Sequence, residues 1–136
     1  AMGLCNLRHL EEQIALRKAA VERYRERLAG QKGLVLCGEQ PGVQSNYAYF
    51  PVQVQPELFG CDRNTVAERL KAQDILVRKY FYPLTSAFPL CRERVAVQET
   101  PVAAAVAERI LCLPLYAELT REDVDRVCDR MLECKS

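Results

Sequence analysis

The sequence predicts an α+β domain: a small, mostly antiparallel sheet with helices packed chiefly on one face. Three observations predict it. Apolar stripes at helical spacing alternate with short β-type runs, no Gly-rich phosphate turn is present, and strands and helices do not alternate in the regular manner of a parallel sheet.

The first element is a long helix, because Leu7, Leu10, Ile14, Arg17, Val21, Tyr24 and Leu28 recur at alternating steps of three and four and share one stripe. It stops near Gly30 and Gly33. Arg17 interrupts the stripe, which argues for an ordinary packed helix over a coiled-coil seam. Helical periodicity begins almost at once after Ala1, without a capping residue. That is how a piece cut from a longer protein begins, with Ala1 either a native residue or a vector scar.

Leu34 to Cys37 is a short strand, and Pro41-Gly42 turns the chain into a longer extended segment from Asn46 to Gln55. Alternation puts Asn46, Ala48, Phe50, Val52 and Val54 on the core face and Tyr47, Tyr49, Gln53 and Gln55 on the other. Pro51 cannot donate to a ladder, so this strand is expected at an edge or with a bulge. After Cys61-Asp62, Val66, Ala67 and Leu70 mark a helix from Asn64 to Gln73. Ile75 to Lys79 reads as the next strand. From Tyr80 to Glu99 periodicity is lost, and a loop this long is usually functional. Thr100 is expected to cap a helix with Pro101 at its first position, running to about Arg109. Ile110 to Leu113 is a last strand. Thr120 with Asp123 approximates a capping box for a final helix whose buried face is marked by Val124, Val127, Cys128 and Met131.

Composition narrows the function classes. A hydrophobic fraction of 49% with 27% charged residues is that of an ordinary globular protein. Nineteen basic against eighteen acidic residues, without a one-signed cluster, argue against nucleic acid or an anionic membrane as partner. No apolar run approaches the ~20 residues that cross a bilayer, and a cytoplasmic location is expected. Seven cysteines, an odd number without a Cys-x-x-Cys pair, read as free thiols and not as disulfides or metal ligands. His9 is the single histidine and is read as a surface residue of the helix. The carboxylates Glu11, Glu12, Glu57, Asp62, Glu122 and Asp123 fall at helix starts, where first-turn acids favour the helix dipole, and on solvent faces, and form no acid–base pair.

Arg78-Lys79-Tyr80-Phe81-Tyr82-Pro83 differs in kind. Two cations and three aromatics at a strand end offer donors for phosphate or carboxylate and flat faces for a sugar or base. The residues alone leave a second reading open, a strand that buries Phe81 and one tyrosine with its cations in solvent.

This segment also belongs to a chain-long pattern. Met2 to Leu7 before a long helix carrying Arg17 and Tyr24-x-x-x-Leu28, then Asn46 to Val52, Arg63 to Leu70, Ile75 to Leu84, Thr100 to Ala103, Leu113-Pro114-Leu115 and Thr120 to Val127, in that order and spacing, resemble the C-terminal small domain of the DegT-type nucleotide-sugar aminotransferases. The resemblance implies a fold-type I enzyme dependent on pyridoxal phosphate (PLP), homodimeric, that moves an amino group, usually from glutamate, to the keto group of a nucleotide-linked deoxysugar for bacterial polysaccharide or glycosylated metabolites. The form Arg-Lys-Tyr-Phe-Tyr-Pro is closest to members acting on dTDP-4-keto-6-deoxyglucose, which form dTDP-4-amino-4,6-dideoxyglucose. Residues 1–33 would then be the helix linking to an absent large domain, and 34–136 the small domain.

The resemblance further implies that Arg78, Lys79, Tyr80, Tyr82 and Thr85 line the substrate side, with Arg78 or Lys79 facing a carboxylate or phosphate. Thr85 stands where many relatives have histidine. None of Lys18, Lys32, Lys71, Lys79 and Lys135 matches the family's PLP lysine, so this piece alone is expected to hold no PLP and to be inactive. Two other readings are a stand-alone module dimerising through its first helix and a small sugar- or nucleotide-binding domain using the Tyr80 to Arg94 loop.

Overall fold

A computed structural model describes residues 2–94 and 98–135. Ala1, whose origin the sequence left open, and positions 95–97 of the Tyr80 to Glu99 stretch lie outside the described residues.

Two helices stand where one was expected: α1 (Met2–Leu7) and α2 (Leu10–Leu28). His9 occupies the N-cap position of α2 but makes no side-chain cap, which leaves the junction a simple turn. Only the C-terminal half of the expected stripe enters the core. Val21, Tyr24 and Leu28 are buried with Ala20, while Leu7 and Leu10 are exposed.

Strand β1 (Leu34–Leu36) pairs antiparallel with β2 (Phe50–Val54), and β2 pairs antiparallel with β3 (Ile110–Leu113). β2 is therefore the middle strand, contrary to the edge position expected from Pro51. The proline is accommodated by register. Pro51 lies opposite Cys112, whose own N–H and carbonyl are spent on Arg78 at 2.7 and 3.1 Å, so Pro51 occupies a non-hydrogen-bonded site of that ladder. Its missing N–H faces the β1 side, where pairing has already ended at Val52.

The alternation expected over Asn46 to Gln55 holds only from Phe50 to Val54, where Phe50, Val52 and Val54 are buried. Upstream the phase reverses: Tyr47 packs against the core while Asn46 and Ala48 are exposed. The cause is a left-handed Tyr47 (φ 49°), held by Arg17, whose Nε and Nη2 donate to the carbonyls of Tyr47 and Asn46 at 3.0 Å each. The arginine that interrupted the helical stripe thus takes up two carbonyls that a longer strand would have paired.

A one-turn helix α3 (Pro56–Phe59) follows, then α4 (Arg63–Lys71), whose N-cap Asp62 accepts from the Thr65 N–H at 2.7 Å. Ile75 to Lys79 is not a strand. A left-handed Asp74 (φ 59°) ends the turn after α4, and the segment makes a single antiparallel bridge, Arg78 with Cys112, on the free edge of β3. The stretch expected to lack structure holds a 3₁₀ turn, Thr85–Ala87, and α5 (Pro89–Arg94), both too short to show a helical period. In α6 (Pro101–Arg109) Pro101 takes the first position as expected, but the Thr100 side chain does not cap; only its carbonyl joins the helix, accepting from Ala104 at 2.9 Å. α7 (Arg121–Leu132) has the expected capping box and buries the four residues named for it.

The core lies between one face of the sheet and helices α2, α4 and α7. It joins Val52, Val54, Leu111 and Leu113 to Leu28, Leu70, Val127 and Met131. The α+β architecture with helices on a small antiparallel sheet is the one the sequence predicted. Tyr24 stacks on Phe50 at 4.9 Å between ring centroids and donates its hydroxyl to the Pro114 carbonyl at 2.9 Å. Burial raises its pKa well above the ordinary phenol range. All seven cysteines are free; burial pushes Cys128 up to about 12, which keeps it an inert thiol.

Helices α2 and α7 are also clamped by charge. Arg23 makes a forked pair with Asp125 at 2.7 and 2.8 Å, and Arg27 bonds Asp125 at 2.8 Å and reaches Asp129. The Arg23 bond holds the Asp125 carboxyl below its usual range, and Arg23 does the same for Glu26. Thr120 lowers Asp123, and the Thr65 N–H lowers Asp62. All four are depressed relative to an unfolded value near ~4, so the stability they contribute is complete above about pH 4 and lost as pH falls through the folded values. Denaturant midpoints should therefore hold steady from neutral pH to about pH 5 and fall below about pH 4. Asp125→Asn should lower the neutral plateau and flatten that acid limb; an unchanged acid limb in the variant would contradict the assignment.

Candidate functional site

The segment from Arg78 to Pro83 runs along the open edge of β3, fixed at one end by the Arg78–Cys112 bridge and turned by a Tyr82 N–H to Lys79 carbonyl bond of 2.8 Å. This turn exposes side chains that a longer strand would have paired into the sheet. Phe81 is 73% exposed and Tyr82 45%, which excludes the reading in which the segment buries its aromatics.

Arg78 and Tyr80 are brought together. An Arg78 Nη1–H donates to the Tyr80 hydroxyl at 2.8 Å, and the guanidinium lies 5.7 Å from the Tyr80 ring centroid. Tyr80 stacks on Phe81 at 5.1 Å and meets Tyr49 edge-on at 5.4 Å. Tyr49 comes from the irregular stretch before β2, and sequence reasoning did not place it here. Lys79 turns away, its Nζ donating to Asn64 Oδ1 at 2.6 Å near the start of α4. Tyr82 rests on Arg63, whose guanidinium carbon is 4.3 Å from the ring centroid. Thr85 is exposed in the 3₁₀ turn.

Arg63 was also missed, although a signal was present. Arg63, Val66, Ala67 and Leu70 follow the i, i+3, i+4, i+7 pattern of a core-facing stripe, and all four are buried.

Two open grooves flank the aromatic cluster. One, of about 600 Å³, is lined by Tyr80, Phe81 and Leu84 together with Val102 and Val106 of α6. The other, of about 530 Å³, is lined by Tyr47, Tyr49, Gln44, Asn46 and Arg25. The Tyr49–Tyr80 contact joins the two. The arrangement supplies cationic N–H donors and aromatic faces, with no carboxylate bonded to Arg78, Tyr80 or Tyr82 among the described residues.

Fold and site thus define a small α+β domain with a cation–aromatic cluster at the free edge of its sheet. The chain belongs to the DegT/DnrJ/EryC1/StrS aminotransferase family, whose model matches residues 1–132. It is 38% identical over 134 residues to the dTDP-4-amino-4,6-dideoxy-D-glucose transaminase of Escherichia coli, covering 97% of this chain and 36% of that protein. The Shigella dysenteriae protein of the same name is 30% identical over 135 residues, covering 99% and 36%. Among solved structures, DesI in the presence of its TDP-sugar product superposes with a TM-score of 0.91 at 28% identity, over 98% of this chain and 34% of that one. The aminotransferase TlmJ from Streptoalloteichus hindustanus gives 0.86 at 26% identity, over 97% and 34%. The chain spans about a third of the length of the relatives it matches.

The described residues do not fit a lysine-bound PLP. An amine that attacks the cofactor is activated by burial or by a neighbouring cation. None of the five lysines is buried: Lys18 pairs with Glu22 at 3.7 Å, Lys79 bonds Asn64, and Lys32, Lys71 and Lys135 are exposed.

Proposed function

We propose that this chain is the substrate-facing, C-terminal third of a PLP-dependent nucleotide-sugar aminotransferase. The enzyme would act as a cytoplasmic homodimer, moving an amino group from glutamate to the keto carbon of dTDP-4-keto-6-deoxyglucose. The observation that carries this reading is the 38% identity to the Escherichia coli transaminase over nearly the whole chain. PLP would be held by the part of the enzyme outside these residues and would supply the electron sink for amino transfer. Residues 1–33 would link to that part, which fits the exposure of Met2, Leu4, Leu7 and Leu10. Residues 34–136 would form the small domain.

Arg78 is then the cation for a phosphate or carboxylate, because its bond to Tyr80 uses one of five N–H donors. Tyr80, Tyr82 and Tyr49 offer faces to the base or sugar, and Thr85 offers a hydroxyl at the rim. Lys79, tied to Asn64, has the weaker claim. The test is turnover by the full-length protein supplied with PLP, glutamate and the keto-sugar nucleotide. The expected result is 2-oxoglutarate formed in step with the amino sugar. Absence of 2-oxoglutarate with every nucleotide keto-sugar tried would overturn the proposal.

A further inference from the structure

Arg63 is the one buried charged side chain among the described residues, 1% exposed. Its Nη1–H donates to the Ile110 carbonyl at 3.2 Å, at the junction of α6 and β3. Its Nη2 lies 3.9 Å from Glu108, beyond hydrogen-bond distance, and neither Nε nor Nη2 finds an acceptor among the described residues. Burying a guanidinium so incompletely bonded is costly, and an apolar residue on the same helical stripe would pack without that cost. What Arg63 makes that an apolar residue cannot is the stack under Tyr82 together with the tie to Ile110.

The segment it touches needs such a tie. Past Arg78, the backbone from Lys79 to Pro83 makes no backbone-to-backbone hydrogen bond to another element among the described residues. The wall is therefore fixed by its backbone at Arg78 on the sheet edge and by side chains beyond it, Lys79 on Asn64, Tyr80 against Tyr49 and Tyr82 on Arg63.

We infer that Arg63 is a positioning residue for nucleotide-sugar binding: its buried guanidinium holds the Tyr82 ring from the protein side, so that the outer ring face and the adjacent Arg78–Tyr80 pair stand ready for the ligand. This rests on the function proposed above. Preorganisation of a binding wall acts on substrate and transition state alike, so its loss raises KM and spares kcat.

The experiment is a double-mutant cycle in the full-length enzyme, reading KM for the keto-sugar nucleotide, kcat, and Kd for the amino-sugar product. Arg63→Met should raise KM and Kd about fivefold to thirtyfold and change kcat less than about twofold. Tyr82→Leu should do the same, and the double variant should be little worse than either alone. Arg63→Lys, which keeps the charge but not the planar stack, should still raise KM about threefold or more, and carries the test if Arg63→Met does not fold. Unchanged KM in the Arg63 variants, or single effects that multiply fully in the double variant, would overturn the inference. If the unsubstituted enzyme fails to turn over, the proposed function fails and this inference falls with it; normal turnover indifferent to Arg63 sinks the inference alone.

Discussion

Gly33→Ala should destabilise the domain by about 3 to 5 kcal/mol, combining a left-handed backbone penalty with overpacking. Gly33 sits at φ +88°, immediately before β1, with its carbonyl accepting from Gln55 at 2.8 Å. A Cβ there would stand 2.4 Å from the Phe59 nitrogen, 2.6 Å from its Cα and 2.7 Å from its Cβ. These atoms cannot give way by a rotamer change, because two of them are backbone of α3 and the Phe59 side chain is fully buried. Either α3 shifts and empties the Phe59 site, or β1 slides out of register with β2. With total stabilities of ~5 to 15 kcal/mol for such domains, much of the margin is lost. Gly30 is the control: it too has a positive φ, +72°, but an added Cβ meets open space, so Gly30→Ala should cost only about 1 kcal/mol. Urea titrations of both variants decide the matter; equal midpoints would refute the Phe59 contact.

The second large effect concerns binding. In the full-length enzyme Arg78→Ala should raise KM for the nucleotide sugar about tenfold to a hundredfold, the range expected for one charge-assisted hydrogen bond. It also strips the Tyr80 hydroxyl of its partner, so Tyr80→Phe separates the two contributions, with an expected rise of only a few-fold. Lys79→Ala should matter less than Arg78→Ala, because its ammonium already serves Asn64 on α4. Steady-state kinetics on the three variants read this directly. A Lys79 effect equal to or larger than that of Arg78 would invert the assignment.

Much of the fold was legible wherever a period persisted. The capping box and buried stripe of α7, the alternation from Phe50 to Val54 and the proline at the start of α6 depend on local chemistry, and local chemistry is what a sequence displays. Ile75 to Lys79 misled because β-type residues make a strand only where the backbone stays in register with a neighbour; here Arg78 alone pairs, with Cys112. Residues 46–49 misled because their backbone is held by Arg17, from a helix far away in the chain. Tyr49 could not be placed for the same reason. Arg63 was visible in principle, sitting in phase with Val66 and Leu70, but a charged residue on an apolar stripe is ordinarily assigned to the margin of that stripe. The cation–aromatic character of Arg78 to Tyr82 was plain from the residues. Their joint presentation with Tyr49 on one side of the sheet edge was a matter of tertiary structure.

The wall is tested most directly by a crystal structure of the full-length protein with the nucleotide sugar bound. The account predicts an oxygen of the ligand within hydrogen-bond distance of the Arg78 guanidinium and a ring of the ligand against Tyr80 or Tyr82. A nucleotide sugar bound productively without touching any of Arg78, Tyr80 and Tyr82 would contradict it.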